Sequence, residues 1–236
     1  IVNLNSGAVA GFEALARWRH PRRGLVPPDE FLTLTDELGM MNDLGLLMMT
    51  QSARQLAEWL ERHPMAGKLF CSVNLSVGEI ERRHLVEDVE RIIKESNLPR
   101  GALKLEVTEG DIMRDTAKAA EVLTRLKAVG ASLALDDFGT GFSSLSYLKR
   151  FPVHYVKIDQ TFIRRLPDDA SSLTIVRAIC ALASGLGLEV IAEGVESGAQ
   201  RSVLLGNGCH RFQGYLFGRP ALERLETVPE ALWAEL

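Results

Sequence analysis

Eight polar residues stand where short apolar runs end. Glu13 follows "VAGF", Asn74 follows "FCSV", Glu106 follows "LKL", and Asp136 with Asp137 follow "SLAL". Lys157 follows "HYV", Glu193 follows "EVIA", and Gln213 follows "HRF". Glu13, Glu106, Asp136 and Asp137, if crowded together, repel and raise one another's pKa values. A bound dication removes that penalty. An all-oxygen set that includes the Asn74 carbonyl suits Mg²⁺ or Mn²⁺, with Ca²⁺ also accommodated, over Zn²⁺. None of the histidines is paired at ligand spacing. The adjacent Asp136 and Asp137 invite two metals with a bridging carboxylate, an arrangement typical of phosphodiester hydrolysis. Lys157 can orient the attacking water or neutralise a phosphate oxygen. Arg17 can grip a phosphate with its fork of donors.

Such a set needs elements that bring strand ends together. "IVNL" and "AVAGFEAL", joined by "NSG", read as an antiparallel hairpin. "PPDEFLTLTDELG" carries helix start and stop signals. Residues 42–62 read as an amphipathic helix with Leu44, Leu47, Met48 and Leu56 on one face. Strands at "LFCSVNLS", "LKLEVTEG", "SLALDDFGTG", "HYVKIDQTF", "LEVIAEGVE" and "RFQGYLFG" then alternate with helices. Those helices are expected over about 78–96, 115–129, "SSLSYLKRF", 169–185, 198–205 and the last dozen residues. The alternation implies a parallel sheet, and roughly eight strands in this length favour a closed (β/α)8 barrel over an open doubly wound sheet. Period-two alternation puts Leu103, Leu105 and Val107 on one face and Lys104, Glu106 and Thr108 on the other. The aliphatic face then packs on helices while Glu106, Asp136 and Lys157 project into the barrel mouth.

Composition narrows the function. The chain has 236 residues, 46% hydrophobic and 25% charged, as in an ordinary soluble globular domain. A net charge of −4 offers no basic footprint for duplex nucleic acid. No apolar run is long enough to span a bilayer, so no membrane contact is expected of this segment. The three cysteines, Cys71, Cys180 and Cys209, show neither disulfide nor zinc spacing, which points to a reducing, cytoplasmic setting. The chain opens on "IVNLNSG", without Met, and reads as one domain over residues 1–236 of a longer, N-terminally truncated protein.

The motifs "EALAR" at 13–17, "VNLS" at 73–76, "LEVTE" at 105–109, "DDFGTGFSSL" at 136–145, "VKID" at 156–159, "AEGVE" at 192–196 and "QGYLFGRP" at 213–220 together resemble the EAL domain family of bacterial cyclic di-GMP phosphodiesterases. The resemblance spans nearly the whole chain. It implies a modified TIM barrel with an antiparallel first strand, hydrolysing one bond of cyclic di-GMP to linear pGpG with Mg²⁺ or Mn²⁺, two ions in number, and with Ca²⁺ as an inhibitor. By motif, Glu13, Asn74, Glu106, Asp136 and Asp137 match the family's metal ligands. Lys157 matches the lysine at the nucleophilic water, and Glu193 the glutamate completing the metal–water network; with Glu13 they form the expected catalytic set. Arg17, Leu15, Asp159 and Gln213 are the expected substrate contacts. Glu109 matches the glutamate that holds the loop of Asp137, Phe138, Gly139, Thr140 and Gly141, a segment tied in the family to homodimerisation and regulation. A sensory or GGDEF-type domain upstream is the expected partner. Phe142, where Tyr is common, is conservative, and much of the usual first strand, with its Tyr-Gln-Pro segment, is missing.

Each residue alone has an ordinary alternative. Glu13 reads as an exposed strand-end acid, Lys157 as a snorkelling lysine, and Asp136 with Asp137 as turn residues. Their shared strand-end placement is what these alternatives leave unexplained. Two other functions compete: a receptor that binds cyclic di-GMP without hydrolysis, and a barrel enzyme that abstracts a proton beside a carboxylate with Lys157 as base. The second accounts for the acids and the lysine, but less well for Arg17, the paired aspartates and the "FGTG" loop.

Overall fold

The computed structural model describes residues 1–62, 69–141 and 148–221. Its main sheet contains β1 (Val2–Asn3), β2 (Ala8–Val9), β3 (Gly11–Ala14), β6 (Phe70–Asn74), β7 (Leu103–Thr108), β8 (Ser132–Phe138), β9 (Tyr155–Ile158), β10 (Glu189–Ala192) and β11 (Arg211–Phe212). The order is β2-β1-β11-β10-β9-β8-β7-β6-β3. Every pair from β3 round to β11 is parallel, whereas β1 runs antiparallel to both β2 and β11. Since β2 runs on into β3, the two edges of the sheet meet at β1. The Ile1 carbonyl accepts from Ala10 N at 2.8 Å and Gly11 N at 3.3 Å, which draws the ring together. The fold is a TIM-type barrel with an antiparallel first strand, as the hairpin predicts.

The helices are α1 (Pro28–Glu37), α2 (Met41–Arg62), α3 (Val77–Ile80), α4 (Leu85–Glu95), α5 (Glu109–Met113), α6 (Thr116–Val129), α7 (Gln160–Ile163), α8 (Ala170–Leu186) and α9 (Gly198–Gly206) among the described residues. Capping defines several of their starts. Asp115 accepts from Lys118 N, Asp169 from Ser172 N and Ser197 from Gln200 N, each satisfying an otherwise orphaned first-turn donor.

The aliphatic core lies between the sheet and the helices. Leu103, Leu105 and Val107 point outward from β7 to meet a layer that includes Val89, Ile92, Leu123 and Leu126, all buried. The opposite faces of the same strands point into the lumen, where Lys104, Glu106, Asp136 and Lys157 are also buried.

Several expectations are corrected. The helix predicted over 78–96 is two helices, α3 and α4. Glu81, Arg82, Arg83 and His84 present no apolar side chain to the core, so no burial holds a helix through them. The buried face of α2 is Gly45, Met49, Ser52, Ala53, Leu56 and Trp59; Leu47, expected on it, is 51% exposed. The strand in "HYVKIDQTF" stops at Ile158 because Asp159 caps α7. The strand in "RFQGYLFG" is only Arg211–Phe212. Trp18–His20, which carried no signal in the sequence, forms β4 of a small antiparallel ribbon with β5 (Gly24–Val26). Trp18 stands edge-on to Phe31 of α1, with ring centres 6.3 Å apart. The predicted C-terminal helix falls outside the described residues. So does most of "SSLSYLKRF", of which Leu148 and Phe151 are described and buried.

Candidate active site

The parallel register stacks the strand ends. Asn74 of β6 pairs with Glu106 of β7, and Thr108 of β7 pairs with Asp136 of β8. Glu13 lies on β3, Lys157 on β9, Glu193 one residue past β10, and Gln213 one residue past β11. All therefore reach the C-terminal mouth of the barrel, where this architecture builds its sites.

Lys157 occupies the centre. Its Nζ lies 2.6 Å from Glu106 Oε2, 3.0 Å from Asp136 Oδ2, 2.6 Å from Glu193 Oε1 and 3.7 Å from Glu13 Oε2. Burial opposes its charge, yet the surrounding carboxylates outweigh burial and hold its pKa well above the ordinary lysine value. Glu13 is tied from two further sides. Asn74 Nδ2 donates to its Oε1 at 3.0 Å, and Gln213 Nε2 donates to its Oε2. Burial raises the Glu13 pKa, but Lys157 and these two amides prevail and lower it.

One ammonium does not balance four carboxylates. Burial, with Glu13 and Asp136 adding to it, pushes Glu106 up to about 7 despite Lys157. Burial likewise lifts Glu193 to about 8, again with Asp136 and Glu13 contributing. Asp137 is lifted to about 6 by burial and then by Asp136 and Asp159. Glu106 Oε1 and Gln213 Oε1 are buried without a hydrogen-bond partner among the described residues. Oxygens of Asp136, Asp137 and Glu193 converge within 4.8 Å of one another. Excess buried acid, an orphaned carboxylate oxygen and three converging oxygens fit a divalent cation.

Asp136 and Asp137 share this mouth only because the strand is irregular. Consecutive residues of a regular strand point to opposite faces. Between Leu135 and Phe138, β8 advances three residues while β9 advances two, from Val156 to Ile158. Asp137 is the additional residue, with φ +52°, in the left-handed region that Asp tolerates better than most residues. The bulge turns the second carboxylate back beside the first.

A close approach positions Gln213. The next residue, Gly214, packs so tightly on Val195 that a Cβ there would lie 2.2 Å from the Val195 carbonyl oxygen. Glycine alone fits, and Gln213 N donates to Ala192 O at 2.9 Å beside it. Glu109, buried at the start of α5, reaches the loop after β8: Gly139 N donates to its Oε2 at 3.4 Å. Thr140 N and Oγ1 both donate to Asp137 O, at 3.3 and 2.8 Å, which folds the loop over the bulge.

Of the remaining expected contacts, Asp159 adjoins the cluster at Asp137, whereas Arg17 and Leu15 stand apart from it. Asp159 is buried and its Oδ1 accepts from Thr161 N at 2.8 Å, a helix-capping role beside Asp137. Arg17 and Leu15 lie exposed on the segment leaving β3, where Arg17 Nη1 donates to Ala16 O at 2.8 Å. Sequence reasoning missed the bulge at Asp137, and passed over Lys104 as a second buried lysine in the lumen; its place on the Glu106 face of β7 was the available signal.

The likeness to known proteins follows this geometry. The EAL domain profile matches residues 1–220. The chain is 40% identical over 215 residues to MucR of Pseudomonas aeruginosa, named a bifunctional diguanylate cyclase/cyclic di-GMP phosphodiesterase, covering 91% of this chain and 31% of the relative. It is 40% identical over 221 residues to NbdA of the same organism, named a cyclic di-GMP phosphodiesterase, covering 93% of this chain and 28% of the relative. The chain thus spans about a third of the length of the curated relatives it matches. Among solved structures, the MucR phosphodiesterase–c-di-GMP complex superposes with a TM-score of 0.87 at 40% identity, covering 93% of this chain and 88% of that one. The EAL enzyme Bd1971, bound to cAMP and cyclic di-GMP, gives a TM-score of 0.87 at 33% identity, with 93% and 60% covered. A barrel of this topology, with these acids at its mouth and this profile along its length, belongs to the EAL domain family.

Proposed function

We propose that this domain hydrolyses one phosphodiester bond of cyclic di-GMP to give linear pGpG. The observation that carries the reading is the cluster of four carboxylates around Lys157 at the barrel mouth, which leaves a buried excess of negative charge. Glu13, Asn74, Glu106, Asp136 and Asp137 would hold divalent ions, Mg²⁺ or Mn²⁺ and two in number, with Ca²⁺ inhibiting through its looser coordination. Such ions, when bound, lower the pKa of water and neutralise charge building on phosphate oxygens.

The chain's own residues supply the remainder. Lys157 keeps its proton, because the carboxylates around it stabilise the ammonium. It therefore acts as a fixed cation that orients the attacking water and offsets phosphate charge. Glu193, 2.6 Å from that ammonium and with an oxygen converging on those of Asp136 and Asp137, would complete the network of ions and water. Arg17, exposed at the rim, is placed to meet an incoming phosphate, with Leu15 beside it. Gln213 and Asn74 hold Glu13 in place from opposite sides. Asp159 completes the substrate set through its position beside Asp137.

In the same reading the loop of Asp137, Phe138, Gly139, Thr140 and Gly141, anchored by Glu109, transmits homodimerisation to the site. Residues 1–236 form one EAL-type unit, regulated by a sensory or GGDEF-type partner domain. No helix among the described residues is long and apolar enough to cross a membrane, and all three cysteines are free thiols. The free thiols suit the reducing, cytoplasmic setting proposed for this domain.

Incubation with cyclic di-GMP and either Mg²⁺ or Mn²⁺, followed by chromatography of the nucleotides, is expected to yield pGpG. Saturable binding without product in either ion would replace hydrolysis with the receptor reading.

A further inference from the structure

The end of the barrel opposite the carboxylate cluster holds a depression of about 760 Å³, within the range of small-molecule sites. Its lining includes Phe70, Arg100, Lys127, His154, Tyr155 and Glu189, and Glu189 is the one acid among its described lining residues. Immediately inside lies Lys104. Its side chain is fully buried, and its Nζ has no hydrogen-bond partner among the described residues. The Nζ lies 3.3 Å from the ring centre of Phe70 and 3.3 Å from that of Tyr155.

Two aromatic faces attract an ammonium, but they accept no conventional hydrogen bond. An amine so placed lacks the acceptors that water would provide, which is costly. The surroundings supply further positive charge. The Arg100 guanidinium is fixed by the carbonyls of Lys127 and Ala128, at 3.1 and 3.0 Å, and Lys127 stands beside it, while Arg211, 5.6 Å from the Tyr155 ring, is ion-paired with Glu189. Ser132, paired in register with Lys104, adds a hydroxyl to the lining.

We propose that this N-terminal mouth is a second ligand site, for a small aromatic carboxylate or phosphate whose oxyanion pairs with Lys104 while its ring packs against Phe70 and Tyr155. Lys104 is fully covered in this structure, so binding requires the half-buried Tyr155 ring to shift within the lining. The site is separate from the cluster around Lys157, although Lys104 and Glu106 lie two residues apart on the inward face of β7.

The test is calorimetric titration of the full chain with benzoate and, separately, phenyl phosphate, without divalent ion or nucleotide. Its result is therefore independent of turnover. At least one anion is expected to saturate, and the stronger of the two identifies the oxyanion. Lys104→Met is expected to weaken that binding by about tenfold or more, the scale of a charge-assisted contact. Glu189→Gln, which removes the acid from the lining, is expected to tighten it severalfold. No saturation by either anion overturns the proposal. Undiminished binding in Lys104→Met also overturns it, since the anion then sits elsewhere. If Lys104→Met does not fold, unchanged or weakened binding in Glu189→Gln has the same consequence.

Discussion

Lys157 Nζ reaches Glu106 Oε2 at 2.6 Å across the intervening strand β8, whose own Asp136 lies 3.0 Å from the same nitrogen. This ammonium draws together acids from the ends of four strands, β3, β7, β8 and β10, without metal. Lys157→Met is expected to lower turnover by about 100-fold or more, the usual scale for losing a preorganised group that stabilises charge in the transition state. Its metal-free melting temperature is expected to fall at pH 8 and recover at pH 6, where the unpaired acids take up protons. Calorimetric melts at both pH values check this; equal loss at both would mean that repulsion is not the cause.

Metal affinity follows from the raised carboxylates. Asp137, Glu106 and Glu193, at about 6, 7 and 8, hold protons in the metal-free protein on the acid side of these values. A divalent ion needs them ionised, so binding expels protons, and apparent affinity rises as pH goes from 6 to above 8. Titration of Mn²⁺ in buffers of different ionisation enthalpy measures the protons released. A flat affinity across this window would contradict the assignment.

Asp137 serves both backbone and charge, and two substitutions separate them. Asp137→Asn keeps a residue that tolerates positive φ and is expected to melt close to the parent, with weakened metal binding. Asp137→Val places a β-branched residue at φ +52° and is expected to destabilise by about 1–2 kcal/mol. Parallel melts and Mn²⁺ titrations distinguish the two effects.

Gly214 allows no side chain. Gly214→Ala sets a methyl against the Val195 backbone, which has no flexible end to yield. The expected loss is about 1–3 kcal/mol, with reduced turnover because Gln213 moves away from Glu13. A urea midpoint unchanged from the parent would show that the loop relaxes freely.

Glu109 links α5 to the loop after β8. Glu109→Gln retains an acceptor for Gly139 N but loses the charge, and Glu109→Ala loses both. Turnover is expected to fall in the order parent, Gln, Ala, with melting temperatures of the parent and Gln variants alike. Sedimentation at several concentrations shows whether the loss accompanies dissociation of a dimer.

The barrel was legible because its strands alternate cleanly: Leu103, Leu105 and Val107 against Lys104, Glu106 and Thr108 state which face meets helices. The strand-end acids were legible because each interrupts an apolar run. The bulge was not, since "DDFG" carries no mark of which aspartate breaks the alternation; that is decided by pairing with β9, far along the chain. The break between α3 and α4 was missed because period counting tolerates a polar gap that tertiary packing does not. Leu47 was misplaced because the helix seats its smallest residue, Gly45, against the Glu79 side chain, which leaves Leu47 facing solvent.

The lumen of this barrel holds Lys104, Glu106, Asp136 and Lys157, with Ala134 and Ile191 beside them, while most of the aliphatic side chains pack outside the ring of strands. Folding and chemistry are therefore written on alternate residues of the same strands. An alanine scan along β7 should oscillate: Leu103, Leu105 and Val107 would register in melting temperature, and Glu106 between them in turnover. Successive positions on one strand thus answer to different demands: the outward ones hold the shell together, and the inward ones set the charge at the mouth.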